Sequence, residues 1–472
     1  MFLWVICLLG GCGQTSTTLD PAPNRPFREH KLSVFCSLPV DPHLFVHESQ
    51  AWSREQDCDV RIERNDLSHF SGDVALVRAA ELPTLVETGQ FLPVPDSFRQ
   101  RDHFLQWEGL LPYASGLLAS WNGTTYGIPL RGEGYMLVYR LDRFKEAKLT
   151  VPQTWEEFVT VAQKLATPER PSLPRLPASA IDLETTFYQI AACYDRPALN
   201  QSESGTRAHD SSGIDRLYSF HDRLKTGESR IDTPAFRHAL ELLQEMQPFR
   251  GGDFATGGAS LAIVSLQDIA RFQAPGSPIR NQFGIAPLPG ARLAYDFDTG
   301  ESRPTRANEI NRVPYIGADI IYGLVSRSCK EPEMAFAFLA DLAHPEKSAA
   351  EIITAARWGA GPLRVAQTDE RARGQWLGYD LTHDETEHLL AALKQHLAPS
   401  LVNHRFCLRT PTQDAQRQSF ERIIRPAIVS PKAEGAKALE ELKSAWKAIA
   451  NQTSEATRRA WSRDQHGLNR QE

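Results

Sequence analysis

Lys31-Leu-Ser-Val-Phe-Cys-Ser-Leu38 is an apolar run of strand length, and two more follow at Cys58 to Glu63 and at Asp73 to Val77. Between the first two lies Pro42 to Gln56, with helical character, and after the third comes Ala80 to Thr88, with Gly89 placed to cap it. Strand, helix and strand repeated in this way predict a parallel α/β sheet joined by right-handed crossovers.

Helix starts further along the chain extend this frame. Thr154-Trp155-Glu156-Glu157 reads as a capping box, followed by Phe158, Val159, Ala162 and Leu165 on one face. Thr233-Pro234 opens a second helix with Phe236, Leu240, Leu243 and Met246 as its stripe, and Pro332 a third with Ala335, Phe338, Leu339 and Leu342. Ala436 to Ile449 predicts a last amphipathic helix packing Leu439, Leu442, Trp446 and Ile449. Thr167 to Pro177 and Asn200 to Gly213 read as surface loops, and residues from Asn451 onward as a polar tail. A chain of 472 residues, 41% apolar and 23% charged, has the material for more than one core. Lys plus Arg number 52 against 58 acidic residues, so no basic excess draws in nucleic acid.

The N-terminus predicts export. Phe2 to Leu9 is too short to span a bilayer, which needs about 20 residues, and reads as the apolar region of a secretory signal over 1–11. Leu9-Gly10-Gly11-Cys12 resembles the lipobox of bacterial lipoproteins, which implies lipidation at Cys12, a linker over 12–29 and tethering to a bacterial membrane, at the periplasmic side or the cell surface. A buried N-terminal segment with an incidental cysteine is the alternative. Of the other cysteines, Cys36 and Cys58 lie on or beside neighbouring strands and could pair, with ordinary buried thiols as the other reading.

Signatures of catalysis are missing. The sequence holds no GxxxxGK[ST] phosphate loop, no GxGxxG after a strand, no GxSxG elbow, no HExxH and no CxxC. His43 and His47 stand one helical turn apart without a third ligand, which favours a solvated face over a metal site. No cofactor, metal or catalytic residue is expected.

Several segments, taken in order, resemble the bacterial extracellular solute-binding proteins of the carbohydrate-uptake type, the binding components of ABC importers. They are Asn122-Gly-Thr-Thr-Tyr126-Gly127-Ile-Pro129, then Glu133-Gly-Tyr135-Met-Leu-Val-Tyr139-Arg-Leu-Asp-Arg-Phe144-Lys-Glu-Ala147, and Val151-Pro-Gln-Thr-Trp155-Glu-Glu-Phe158. Gly258-Ala-Ser-Leu-Ala-Ile-Val-Ser265, Phe283-Gly-Ile-Ala-Pro-Leu-Pro289-Gly290, and Ile320 to Ser328 with Glu331-Pro332-Glu-Met-Ala335-Phe-Ala-Phe338-Leu complete the series. The resemblance implies an α/β protein with the two-lobe, type II clamp of periplasmic binding proteins, crossed three times by the chain. It places 30–135 and 270–322 in lobe 1, 136–269 and 323–450 in lobe 2, and leaves 451–472 as the tail.

The implied function is capture of a small solute, a sugar or oligosaccharide, by hinge closure, and its delivery to permease subunits by a monomeric, lipid-anchored receptor. Ligands of open α/β sheets lie beyond the carboxyl ends of the strands, which brings forward Asp41 and Arg78; the resemblance implies Glu133 as a carboxylate at the lip of the crossing strand, with Tyr135 beside it and Asp319 at the third crossing, and Trp358 is the candidate stacking ring. Structural roles stay open for them: a helix cap for Asp41 or Asp319, core packing for Tyr135, packing under a loop for Trp358. Where the family often carries a sugar-stacking tryptophan after the position of Ser265, this chain has Leu266-Gln267-Asp268, so Gln267 and Asp268 join the candidates and a more polar ligand fits as well. An exported glycan hydrolase with paired carboxylates, or the sensing subunit of a signalling receptor, are the other functions compatible with the sequence.

Overall fold

The computed structural model describes residues 26–37, 40–65, 67, 70–177, 179–195, 218–305, 309–347, 361–377, 381–397, 405–430 and 432–468. The signal and lipobox with Cys12, the loop 200–213 and Trp358 lie outside the described residues, as does the side chain of Gln267.

The elements that position the site are, in chain order, β1 (Lys31–Cys36), α1 (His43–Gln56), β2 (Asp59–Arg64), β3 (Val74–Arg78), α2 (Leu82–Val86), β4 (Phe91–Leu92), β5 (Ile128–Arg131) and β6 (Tyr135–Arg140). They continue with α3 (Trp155–Leu165), α4 (Ala180–Asp195), α5 (Pro234–Met246), β7 (Leu261–Ser265), α6 (Leu266–Gln273), β8 (Phe283–Ala286), β9 (Tyr315–Ile316) and β10 (Ile321–Ser326). The last are α7 (Pro332–Leu342), α8 (His383–Leu397), β11 (Arg405–Phe406), α9 (Gln413–Val429), α10 (Lys432–Ala450) and α11 (Glu455–Asp464).

The sheet of lobe 1 runs β2-β1-β3-β10-β4, with β5 also paired to β10. Its first three strands are parallel, as the strand–helix–strand pattern predicts, and β10 enters antiparallel from far along the chain. Alternation along β3 shows why this strand is central. Val74 and Leu76 pack with α1 and α7 through Phe45, Trp52, Phe338 and Leu339, while Ala75 and Val77 face the opposite layer with Leu82 and Phe91.

Lobe 2 is built on the antiparallel sheet β7-β6-β8, covered by helices. Thr154 caps α3 as expected, its hydroxyl accepting from Glu157 N at 3.2 Å, and the Glu157 carboxylate reaches back one residue further, to Gln153 N at 2.7 Å. The stripes of α3, α4, α5, α9 and α10 meet in one core through Trp155, Phe187, Phe236, Phe420 and Trp446, which continues without a break beneath the sheet of lobe 1.

Strand pairing divides the chain differently from the expected lobe boundaries. β8 lies within 270–322 yet pairs with β6 in lobe 2, whereas β10, which the expected boundary at 322 divides, and α7, expected in lobe 2, complete lobe 1 beside β3 and α1. The crossings therefore fall at 132–134, at 317–320 and after 361. At the last, Leu363 O accepts from Leu111 N at 2.9 Å and Arg364 donates to Leu105 O at 2.8 Å, both in lobe 1, before α8 packs on β8 in lobe 2. A hydrophobic strand followed by a Pro-Gly turn reads alike in either lobe, so local pattern could not assign it.

One open alternative is decided and one further expectation is corrected. Cys36 and Cys58 are free. Parallel register sets Lys31 beside Asp59 and Cys36 beside Arg64, so the two cysteines sit at opposite ends of the strand pair. Six residues at about 3.3 Å each separate them by about 20 Å, against less than about 7 Å between Cα atoms for a disulfide. Burial also pushes the Cys36 thiol up to about 12. The polar tail, in turn, contains α11, capped by Ser454, whose hydroxyl accepts from Thr457 N at 3.1 Å, and anchored by Trp461 against the core.

Candidate ligand cleft

Two glycines let the crossings touch. A Cβ at Gly132 would stand 2.0 Å from Pro362 O, and one at Gly361 would stand 2.1 Å from Glu133 C, so the first and third crossings run backbone against backbone. Glu133 joins the first crossing to the second: its carboxylate accepts from Gly317 N and, at 2.9 Å, from Asp319 N. The residue is 2% exposed, and burial outweighs these bonds and pushes its carboxyl up to about 8. Glu133 is thus an internal brace and not a group at the lip of the cleft. A position at the end of a strand predicts the location but not which way its oxygens are spent.

What Glu133 holds in place is Asp319. One Asp319 oxygen accepts from the Tyr135 hydroxyl, and the other stands 3.4 Å from an Arg78 guanidinium nitrogen. Arg78 ends β3, Tyr135 begins β6 and Asp319 lies in the second crossing, so the contact gathers both lobes and one of the crossings between them. Beneath Arg78, the Glu81 carboxylate accepts from Arg78 N at 2.8 Å and from Ser37 Oγ at 2.9 Å, tying together the loops that follow β1 and β3. Burial raises the Glu81 carboxyl above the ordinary range and the Tyr135 phenol well above its own.

Arg131, at the end of β5, shares the field of Asp319, Arg78, Tyr135 and Asp41; burial lowers its pKa while the nearby carboxylates oppose that. Asp182, in the first turn of α4, is exposed to solvent, yet its carboxyl is pushed up to about 6, first by burial among its surroundings and then by Asp319, with Asp268 adding to the shift. Exposure combined with burial by neighbours is what a wall of an open cleft produces. Asp268 accepts from Ser265 Oγ at 3.2 Å and pairs with Arg271 at 3.3 Å. Asp41 is exposed and accepts from His43 N at 3.0 Å, the helix-end role left open for it.

Arg78, Tyr135 and Asp319 are therefore in direct contact over the Glu133 brace, and Asp41 and Asp268 belong to the same electrostatic neighbourhood. Arg131 and Asp182 were missed. Arg131 fell between two quoted motifs, Asn122–Pro129 and Glu133–Ala147, and an acidic residue in a first helical turn reads as a favourable end charge with no further signal. No group of three or more potential metal ligands occurs among the described residues. Guanidinium, phenol and carboxylate groups that converge between two lobes can donate to and accept from a multiply hydroxylated guest.

These features define a two-lobed binding protein of the type II, α/β class. Residues 64–372 match the model of the bacterial extracellular solute-binding proteins, and the chain belongs to that family. Among solved structures it resembles an ABC substrate-binding protein from Listeria monocytogenes in complex with cycloalternan, at 13% identity and a TM-score of 0.61 over 90% of this chain and 99% of that one. It likewise resembles a ribitol complex of a solute-binding protein from Agrobacterium radiobacter, at 14% identity and a TM-score of 0.64 over 89% and 98%. Maltose-bound MalE3 of T. maritima matches at 16% identity and a TM-score of 0.64 over 88% and 100%. At such identities the likeness is one of fold. No curated protein matches the sequence.

Proposed function

We propose that the protein is the binding component of an ABC importer, which captures a small polyhydroxylated solute, a sugar or sugar alcohol, in the cleft around Asp319 and hands it to permease subunits. The observation that carries this reading is the convergence of Arg78 and Tyr135 on Asp319, with Asp182 acting on the same carboxylate from lobe 2. Hydroxyl hydrogens bond to carboxylates, and hydroxyl oxygens accept from guanidinium groups. Ligands named for the structural relatives, cycloalternan, ribitol and maltose, are of this chemical class. Closure of the lobes over the solute follows from stronger contact in the closed form. The family is one of extracellular proteins, and the lipobox at Cys12 supports a lipid anchor on the outer side of a bacterial membrane.

Thermal unfolding with a panel of sugars and sugar alcohols, ribitol and maltose among them, tests the reading. At a hundredfold excess over Kd, a ligand of the folded form stabilises by about 2.7 kcal/mol. At least one member of the panel raises the melting temperature of the native chain and not that of Asp319→Ala. A panel without any such member contradicts the proposal.

A further inference from the structure

A cavity of about 300 Å³ lies in lobe 2 among α9, α10, α11 and the segment 222–229, and none of its lining residues belongs to the interlobe site. Its walls carry the chemistry of a binding site. Trp461 supplies a partly exposed indole surface, backed by the buried Trp446, whose Nε1 donates to Gln416 O at 3.1 Å and Ser419 Oγ at 3.0 Å. Around them stand Asp222, Lys447 and Asn451. Among the described residues, the Asp222 carboxylate, the Lys447 ammonium and the Asn451 side-chain amide make no hydrogen bond and no ion pair with the rest of the protein. The other cations in the lining are spent: Lys443 pairs with Asp232 at 2.9 Å, and Arg458 donates to Ala450 O at 2.9 Å and to Thr453 O.

An acceptor, a donor and an amide that does both, all unspent in one cavity, select the occupant. A cation is opposed by Lys447 and an anion by Asp222, whereas a hydroxyl donates to the one and accepts from the other. Apolar CH faces of a ring or chain lie against the Trp461 indole. The volume is at the small end of ligand cavities, which span about 300–1,000 Å³, and suits a single sugar unit or a short polyol. Burial pushes the Asp222 carboxyl up to about 7, and a group that is partly protonated at neutral pH can serve a hydroxyl as acceptor or donor.

We propose that this cavity is a second binding site, for one small neutral polyhydroxylated molecule, separate from the interlobe cleft. Isothermal titration of the full chain with ribitol tests it, using the native protein, Asp319→Ala, Asp222→Ala and Trp461→Ala. A ribitol-binding event survives Asp319→Ala and weakens by about tenfold or more in Asp222→Ala and in Trp461→Ala. Lys447→Ala, at an exposed position, repeats the test where the tryptophan variant unfolds. Ribitol binding that is indifferent to all three cavity substitutions, or absent from every form, overturns the second site. Loss of every event in Asp319→Ala alone leaves the cleft standing without it, and survival only of the Asp222-dependent event does the reverse.

Discussion

At the scale of single residues, the cleft rests on a carboxylate that does not face it. Glu133 gives its acceptors to two backbone N–H groups of the second crossing and so fixes Asp319, which meets Tyr135 and Arg78. Its raised pKa has a definite sign. Between the ordinary 4.5 and about 8 the folded chain keeps a proton that the unfolded chain releases, so this residue's contribution to stability is full below the lower value and is lost as pH rises through the upper one. Urea unfolding at roughly pH 5 and roughly pH 8 reads that slope. Glu133→Gln flattens it, and also costs about 1–3 kcal/mol because an amide leaves one buried N–H without an acceptor; an unchanged slope would contradict this account. Binding follows the opposite trend through Asp182, which accepts hydroxyl hydrogens best as an anion. Affinity for the solute therefore falls as pH drops through about 6, and Asp182→Asn removes that dependence in a titration series.

At the scale of elements, local pattern was strong where one periodic face decides the matter. β1 and β3, the Thr154 cap of α3, and the proline starts of α5 and α7 all stand where their residues place them. Replacing the cap, Thr154→Ala, costs about 1 kcal/mol, measured as a shift of the unfolding midpoint. Membership of a sheet was less legible: β8 and β10 are both apolar strands, and the pairing that separates them between lobes is set by partners more than a hundred residues away. α11 escaped because its ten residues are mostly polar, and a single ring, Trp461, supplies much of its docking. Arg78, Tyr135 and Asp319 were accessible as strand-end positions, whereas Asp182 became part of the site only through the fold that brings the start of α4 to the crossing. The crossings also yield a prediction at this scale. Gly132→Ala drives a Cβ into the Pro362 carbonyl and destabilises the protein by about 3 kcal/mol or more, among the larger effects of single substitutions. A midpoint in urea equal to that of the native chain would show that the first and third crossings do not pack as described.

At the scale of the whole molecule, one continuous core joins the lobes, and Arg409 braces them. Fully buried, it donates to Ala79 O, Leu117 O, Leu118 O and Ser120 O, fastening the chain before α9 to lobe 1. The segments 132–134, 317–320 and 361–362 meet around Glu133. Such a construction suits bending about one hinge in place of free movement of two domains. Small-angle X-ray scattering, with and without a saturating sugar or sugar alcohol selected by thermal shift, measures that bending most directly. The account predicts a smaller radius of gyration with the solute, and no change for Asp319→Ala under the same conditions; superimposable native profiles in the presence of a bound solute would contradict it.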